Sequence, residues 1–319
     1  MRAVQITSLN GPSALEVVTV DEPAAGPEDV VIDVHVAGVT FPEVLQSRGE
    51  YQLKPPLPFV PGSEVAGVVR SGPGFAPGRR VAAFPALGGF AEVVTARPAQ
   101  VFPLPDAVSF EAGAALPMNY LTVHFGLVRR GRLRAGETVL VHGAAGGVGT
   151  AAVQLASALG ARVIAVVSTE DKIDPARKAG ADEVILADGF KDAAKELTGG
   201  RGVDVVVDPV GGDRFTDSLR SLAREGRLLV IGFTGGEIPQ VKVNRLLLNN
   251  ISVVGVGWGA FWVPQPNYLQ EQWSDLAPLL AAGKLEPVLG RSFPLEDASL
   301  ALRELDERRA IGKVLLTVR

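Results

Sequence analysis

The stretch VLVHGAAGGVGTAAVQLASALGARVIAVVSTEDK, Val139–Lys172, decides the fold. An apolar strand runs into glycines, a helix follows, and a second apolar strand ends on Ser168-Thr169. Val148, Ala151, Ala152, Leu155, Ala156 and Leu159 recur at helical spacing and give that helix one face of small side chains suited to lie on a sheet. The dinucleotide fingerprint G-x-G-x-x-G asks a tight turn of its first glycine, close backbone approach to a pyrophosphate of its second and close helix–strand packing of its third. Those positions are Ala144, Gly146 and Gly149, with Gly147 as an extra glycine. Bare N–H groups and the positive end of the helix dipole then make an anion site of Ala145, Gly146, Gly147, Val148 and Gly149 without any charged side chain.

An Asp or Glu about 20 residues past the turn would accept hydrogen bonds from ribose hydroxyls and repel a 2′-phosphate. Here the second strand ends on Ser168 and Thr169, with Lys172 following. Hydroxyls and an ammonium suit a phosphate, so NADPH is expected rather than NADH. Glu170 and Asp171 work against that, and Asp174-Pro175 reads as a helix N-cap with Pro at the first helical position, leaving Lys172 in a loop. Ser168 or Thr169 capping the next helix is the other reading of the pair.

Outward from this unit, the texture on the C-terminal side stays strand, helix, strand: EVILAD, VDVVVDPV, GRLLVIGF and ISVVGVG alternate with helical stretches. Strands apolar on both faces imply a doubly wound parallel sheet, an α/β domain. On the N-terminal side, VVIDVHVAGV, EVAGVVRSG, RRVAAFPAL and FAEVVTA are short runs broken by Gly and Pro, a strand-rich, barrel-like pattern. The tail carries an amphipathic helix (Ala298, Ala301, Leu302, Leu305) and the strand GKVLLTVR. The expected division is residues 1–120, a strand-rich domain; 121–262, the nucleotide domain; and 263–319, a tail returning to the first. At 319 residues the chain has room for a core in each.

Composition removes several classes. The net charge of −4 argues against nucleic acid, which is bound through clustered Lys and Arg. The RRGRLR cluster, Arg129–Arg134, reads as a solvated loop. With no cysteine and only His35, His124 and His142, disulfides, iron–sulfur clusters and thiolate zinc sites are excluded, and no metal site is expected. No run of about 18 uncharged apolar residues and no signal-peptide core is present, so no membrane partner and a cytoplasmic location are expected.

The stretches AGVTFPEVLQSRGEYQLKPPLPFVPGSEVAGVV, AALPMNYLTVHFGL, HGAAGGVGTAAVQLA, VDVVVDPVGGDRF and GRLLVIGFTGGEIPQVKVNRLLLNNISVVGVGWG resemble the zinc-independent quinone oxidoreductases of the medium-chain dehydrogenase/reductase superfamily, the zeta-crystallin group, over essentially the whole chain. The resemblance implies a GroES-like β-barrel catalytic domain completed by the tail, a Rossmann domain, cofactor in the cleft, and a homodimer joined edge to edge through ISVVGVG. AxGGVG is that family's own form of the turn, which accounts for Ala144. In the zinc alcohol dehydrogenases of the superfamily, the catalytic Cys and His would fall at Thr40 and Ser63, and their four-cysteine lobe has no counterpart around Arg79 to Phe90. Without zinc nothing stabilises an alkoxide, whereas reducing a quinone or activated alkene spreads the new charge by conjugation. Two positions depart from the family: its Asn falls at Thr40, and the Tyr that helps hold the 2′-phosphate falls at Ala187.

The resemblance also nominates residues for chemistry. Tyr51 aligns with a tyrosine that relatives place at the cleft, a proton donor or a packing residue of the barrel mouth. Thr40 and Thr122 are candidates for the nicotinamide side, and Val210, Phe233 and Trp258, at strand ends, for the cofactor crevice. Trp258, Phe261 and Trp262 either stack on a flat quinone or form core at a domain junction. The expected reaction is hydride transfer from NADPH to a quinone or an α,β-unsaturated carbonyl. An enoyl thioester reductase is the alternative enzyme, and a cofactor-binding structural or RNA-binding protein the alternative of another class.

Overall fold

A computed structural model describes residues 1–319. The chain divides into two compact units, Met1–Met118 with Pro266–Ser274 and Leu289–Arg319, and Asn119–Gln265 with Asp275–Val288. In the second unit six strands, all parallel, lie in the order Glu183–Leu186, Arg162–Val167, Thr138–His142, Val203–Asp208, Leu222–Val230, Ser252–Gly255. The middle strands are Val-, Ile- and Leu-rich because helices cover both their faces: all five residues of Thr138–His142 are buried. Leu140, Ile164, Val206 and Leu228 from the sheet meet Phe190, Phe215 and Leu219 from the crossover helices. This is the α/β doubly wound arrangement read from the glycine stretch.

The helix Gly147–Ala158 buries Ala151, Ala152, Leu155 and Ala156 of the face that its periodicity marks, and Thr150, Val153 and Gln154 besides, whereas Val148 and the C-cap Leu159 stay partly exposed. Gln154 is buried because it is fully used. Its Oε1 accepts the Tyr120 hydroxyl at 2.5 Å and the Glu286 N–H at 3.0 Å, and its Nε2 donates to the Glu286 carbonyl at 2.5 Å. These bonds hold Asp275–Val288 in the second unit, whereas the sequence assigns everything after 263 to the first. The helix Tyr268–Ala281 is accordingly shared: its early residue Gln270 donates to the carbonyls of Ala99 and Val101 in the first unit at 3.0 and 3.1 Å.

The first unit is built on a seven-stranded sheet around Val30–Gly38, which pairs antiparallel with Glu64–Ser71, Val93–Ala96 and Lys313–Thr317. Period-two burial is clear in it, with Val30, Ile32, Val34 and Val36 inward and Val31, Asp33 and His35 partly exposed. Leu289–Arg319 belongs to this unit, its helix Ala298–Asp306 burying Ala298, Ala301 and Leu302. Lys313 on the last strand meets the fully buried Glu64 carboxylate, which also accepts the Met118 N–H at 2.6 Å. Burial pushes the Glu64 carboxyl above the usual range, and the Lys313 ammonium works against that rise. No helix is long and apolar enough to cross a membrane.

Gly149 shows how close the helix and strand must come. A Cβ there would lie 2.0 Å from the Gly143 carbonyl oxygen and 2.7 Å from Ala144 Cα, both backbone. At Gly146, φ is −86° and a Cβ would meet only the Gly143 oxygen at 3.5 Å. Gly149→Ala is therefore expected to lower stability in urea titrations by about 2–3 kcal/mol, the scale of a forced overpacking, and Gly146→Ala by no more than about 1.

Candidate functional site

The glycine turn begins one residue earlier than the fingerprint suggests. Gly143, at φ +59°, makes the tight turn, while Ala144 is buried and donates its N–H to Val166 at 3.2 Å. The next closures are Gly146 N–H to Gly143 O at 3.0 Å and Thr150 N–H to Gly146 O at 2.8 Å. No side chain caps the helix that follows, so the first-turn N–H groups of Gly147, Val148 and Gly149 point forward without intrahelical acceptors. Gly147 is a second close approach: a Cβ there would sit 2.6 Å from Asn119 Nδ2. Bare N–H groups, the dipole and the clearance beside Gly146 fit a pyrophosphate.

The loops beyond neighbouring strands close around this turn. Buried Asp208, at the end of its strand, accepts the N–H groups of Val210 and Gly211, each at 2.9 Å, an Asx-type closure that shapes the loop. Burial raises its carboxyl above the usual range, opposed by those two hydrogen bonds. Val210 thereby lies against the turn, its Cγ2 3.4 Å from where a Gly143 Cβ would be, and Phe233 lies over Gly211 at 2.9 Å by the same measure. Thr234 and Gly235 donate back to the carbonyls of Pro209 and Val210 at 3.1 and 2.8 Å, locking the two loops together. So the structure gathers Val210, Phe233 and the residues from Ala145 to Gly149.

Ser168 and Thr169 are exposed at the end of Arg162–Val167. Lys172 does not sit in a loop: Glu170–Lys172 is a 3-10 turn running directly into the helix Ile173–Lys178, with Asp174 inside that helix rather than capping it. Its Nζ lies 3.3 Å from Ser168 Oγ. Ala187 follows the next strand and donates to the Val167 carbonyl at 2.8 Å. Ser168 and Ala187 both line an open depression of about 440 Å³. Beneath, His142 is wholly buried, with Nε2 2.8 Å from Ser218 Oγ, which in turn donates to the Arg214 carbonyl. Burial, assisted by the Arg214 charge, holds its imidazole down at about 3, so the ring is neutral and structural.

In the first unit, Thr40 precedes the helix Phe41–Ser47, and its N–H (2.7 Å) and hydroxyl both donate to one oxygen of Glu43. The other Glu43 oxygen accepts the Ser63 N–H at 3.0 Å and hydroxyl at 2.7 Å. Thus the two positions aligned with zinc ligands carry hydroxyls joined through one buried carboxylate, and Thr40 is occupied with capping. No group of three His, Asp or Glu side chains is placed to hold a metal ion. Tyr51 stands near this carboxylate, half-buried; burial first, and the Glu43 charge second, raise its phenol above the usual tyrosine range. Its proton is therefore retained across the neutral range.

The aromatic candidates of the second unit are drawn into packing. Trp258 is 5 % exposed, its ring centroid 5.9 Å from that of Trp262. Phe261 lies between Phe125, at 4.9 Å, and the Arg129 guanidinium, at 4.5 Å. Arg129 and Arg130 are exposed but belong to a π-helical turn, Phe125–Arg130, rather than a loop, and Arg130 donates to the Gly255 carbonyl at 2.9 Å. Thr122 is buried on the helix Pro117–His124. Three contributors escaped the reading of the sequence. Glu43 was visible in the capping pattern T-x-x-E, and Asp208 in the turn signature DPVGG, while nothing local marks Asn119.

Comparison with known proteins agrees with this anatomy. Residues 26–106 match the alcohol dehydrogenase GroES-like domain, and residues 147–282 the zinc-binding dehydrogenase domain. Quinone oxidoreductase-like protein 2 of Rattus norvegicus is 39 % identical over 100 % of this chain and 92 % of its own length. Among solved structures, a probable oxidoreductase from Mycobacterium abscessus is similar at 47 % identity and a TM-score of 0.91, covering 100 % of this chain and 99 % of that one. The quinone oxidoreductase from Thermus thermophilus, solved also in complex with NADPH, is similar at 37 % identity and a TM-score of 0.87 over 100 % of both chains. With relatives this similar along its full length, and with both a GroES-like unit and a Rossmann-type sheet, the chain belongs to the quinone oxidoreductases of the medium-chain dehydrogenase/reductase superfamily.

Proposed function

We propose that this protein is an NADPH-dependent reductase that delivers a hydride to a quinone or an activated alkene or carbonyl. The observation that carries the reading is the uncapped helix start at Gly147 to Gly149, in a sheet whose next strand ends on Ser168 where an acid would refuse a 2′-phosphate. Bound NADPH supplies the hydride. The N–H groups of Gly147, Val148 and Gly149 hold the pyrophosphate, and the loops carrying Val210 and Phe233 flank it. Ser168, Thr169 and Lys172 serve the adenosine phosphate.

Tyr51 Oη holds the proton that the reduced substrate requires. Its raised phenol keeps that proton bound through neutral pH, where it is donated by a hydrogen bond rather than by free dissociation. Buried Glu43 sets the phenol's surroundings and ties Thr40 and Ser63 in place. The same reading makes the protein a homodimer. The strand Ser252–Gly255 is paired on one side only, and the segment before it exposes Ile238, Val243, Leu247 and Leu248 at 70–76 %.

Purified protein should oxidise NADPH faster than NADH with 1,4-benzoquinone and 9,10-phenanthrenequinone; turnover confined to crotonyl-CoA would replace the quinone reading with an enoyl thioester reductase. Tyr51→Phe is expected to lower kcat by about 10²-fold and to leave the NADPH Kd unchanged; an undiminished kcat would assign the proton to solvent. Because the phenol is shifted upward, the rate that depends on it should fall only at pH values above the ordinary tyrosine range, where the donor is lost. Light scattering should return twice the 33.4 kDa chain mass, and a Leu247→Glu, Leu248→Glu double variant should return a single chain.

A further inference from the structure

The depression beside Ser168 has a second wall, formed by the loop after Glu183–Leu186 and by the turn leading into the helix Phe215–Ser221. Arg214 stands on that wall, partly buried. Every other cation there or next to it is engaged: Lys191 with Asp192 at 3.2 Å and Arg220 with Asp217 at 3.0 Å. Arg214 makes no ion pair and donates no side-chain hydrogen bond. Its charge is nonetheless felt inward, at His142 and Asp208, the last residues of two adjacent strands. A guanidinium without a contact ion pair, held near the C-terminal edge of a doubly wound sheet in a cavity shared with the hydroxyl at the end of the second strand, is in place to receive an anion.

Resting on the NADPH reading above, we propose that Arg214 is a specificity-determining residue that grips the 2′-phosphate of the cofactor, in place of the tyrosine that the family carries where this chain has Ala187. Ser168, with Lys172 behind it, approaches the phosphate from one side of the depression and Arg214 from the other. Asp192 and Asp217 are already paired, but Asp188 and Asp213 also line the depression. With Arg214 removed, those two carboxylates would face the phosphate with only Lys172 to oppose them, so discrimination would fall. A planar fork also suits a phosphate better than a phenol does, since it offers two parallel N–H donors.

The test is direct binding without turnover, by titrating the full-length protein with NADPH, NADH and 2′,5′-ADP at fixed ionic strength. Arg214→Met is expected to weaken NADPH and 2′,5′-ADP by about tenfold or more, to change NADH less than twofold and to leave the melting temperature of the unliganded protein unchanged. Arg214→Lys should recover part of the loss, and Asp213→Asn in the otherwise native chain should tighten 2′,5′-ADP. Native protein that prefers NADPH while Arg214→Met weakens both cofactors equally, or neither, would overturn the assignment of Arg214 alone. Native protein without any preference would overturn the NADPH reading and this assignment together.

Discussion

Everything at the cofactor end of this molecule depends on the absence of one carbon atom. With no Cβ on Gly149, the helix Gly147–Ala158 can start against the Gly143 carbonyl, and its free N–H groups emerge at the sheet's edge instead of a side chain's length away. Once the helix is there, its small-residue face must lie on Thr138–His142 and Arg162–Val167, and the strand ends carrying Ser168 and Asp208 come to one rim. The site is thus a by-product of packing distance. Charge is added afterwards, by residues such as Lys172 and Arg214 that the packing leaves half exposed.

The first unit solves a different problem with buried carboxylates. Glu43 ties two segments through four donors, and Glu64 joins the last strand and the Met118 N–H to the sheet. Isolated buried charges are costly, but each of these finds enough donors to be retained, and removing one partner would leave the remainder uncompensated. Where zinc-dependent relatives in the superfamily carry a cysteine and a histidine, hydroxyls and Glu43 form a closed hydrogen-bonded bridge. That bridge fixes the start of the helix Phe41–Ser47 beyond which Tyr51 lies.

Periodicity and turn chemistry make most of this legible in the sequence. The doubly wound sheet follows from Val-rich strands between helices, and the glycine turn from its flanks. What stayed hidden depends on partners distant in the chain. Ala144 looks like the turn residue until Gly143 is seen at positive φ; Gly147 looks redundant until the Asn119 amide is found beside it. The tail reads as one piece because nothing local announces that Gln154 will capture the main chain at Glu286. Trp258 and Phe261 show the same limit in reverse: a run of aromatics has equal value as ligand platform or as packing, and only their neighbours decide.

The strand Lys313–Thr317 has a consequence for how the protein folds. It pairs with Val30–Gly38, so the sheet of the first unit is completed only when segments far apart in the chain meet. Until then the Glu64 side chain waits without its ammonium, and an edge of the N-terminal sheet stands open. The sheet from Thr138 to Gly255 draws its six strands from one continuous stretch of chain. The middle of the chain is therefore the part able to form its sheet first, and the first unit, which depends on the long-range pairing of Lys313–Thr317, closes later.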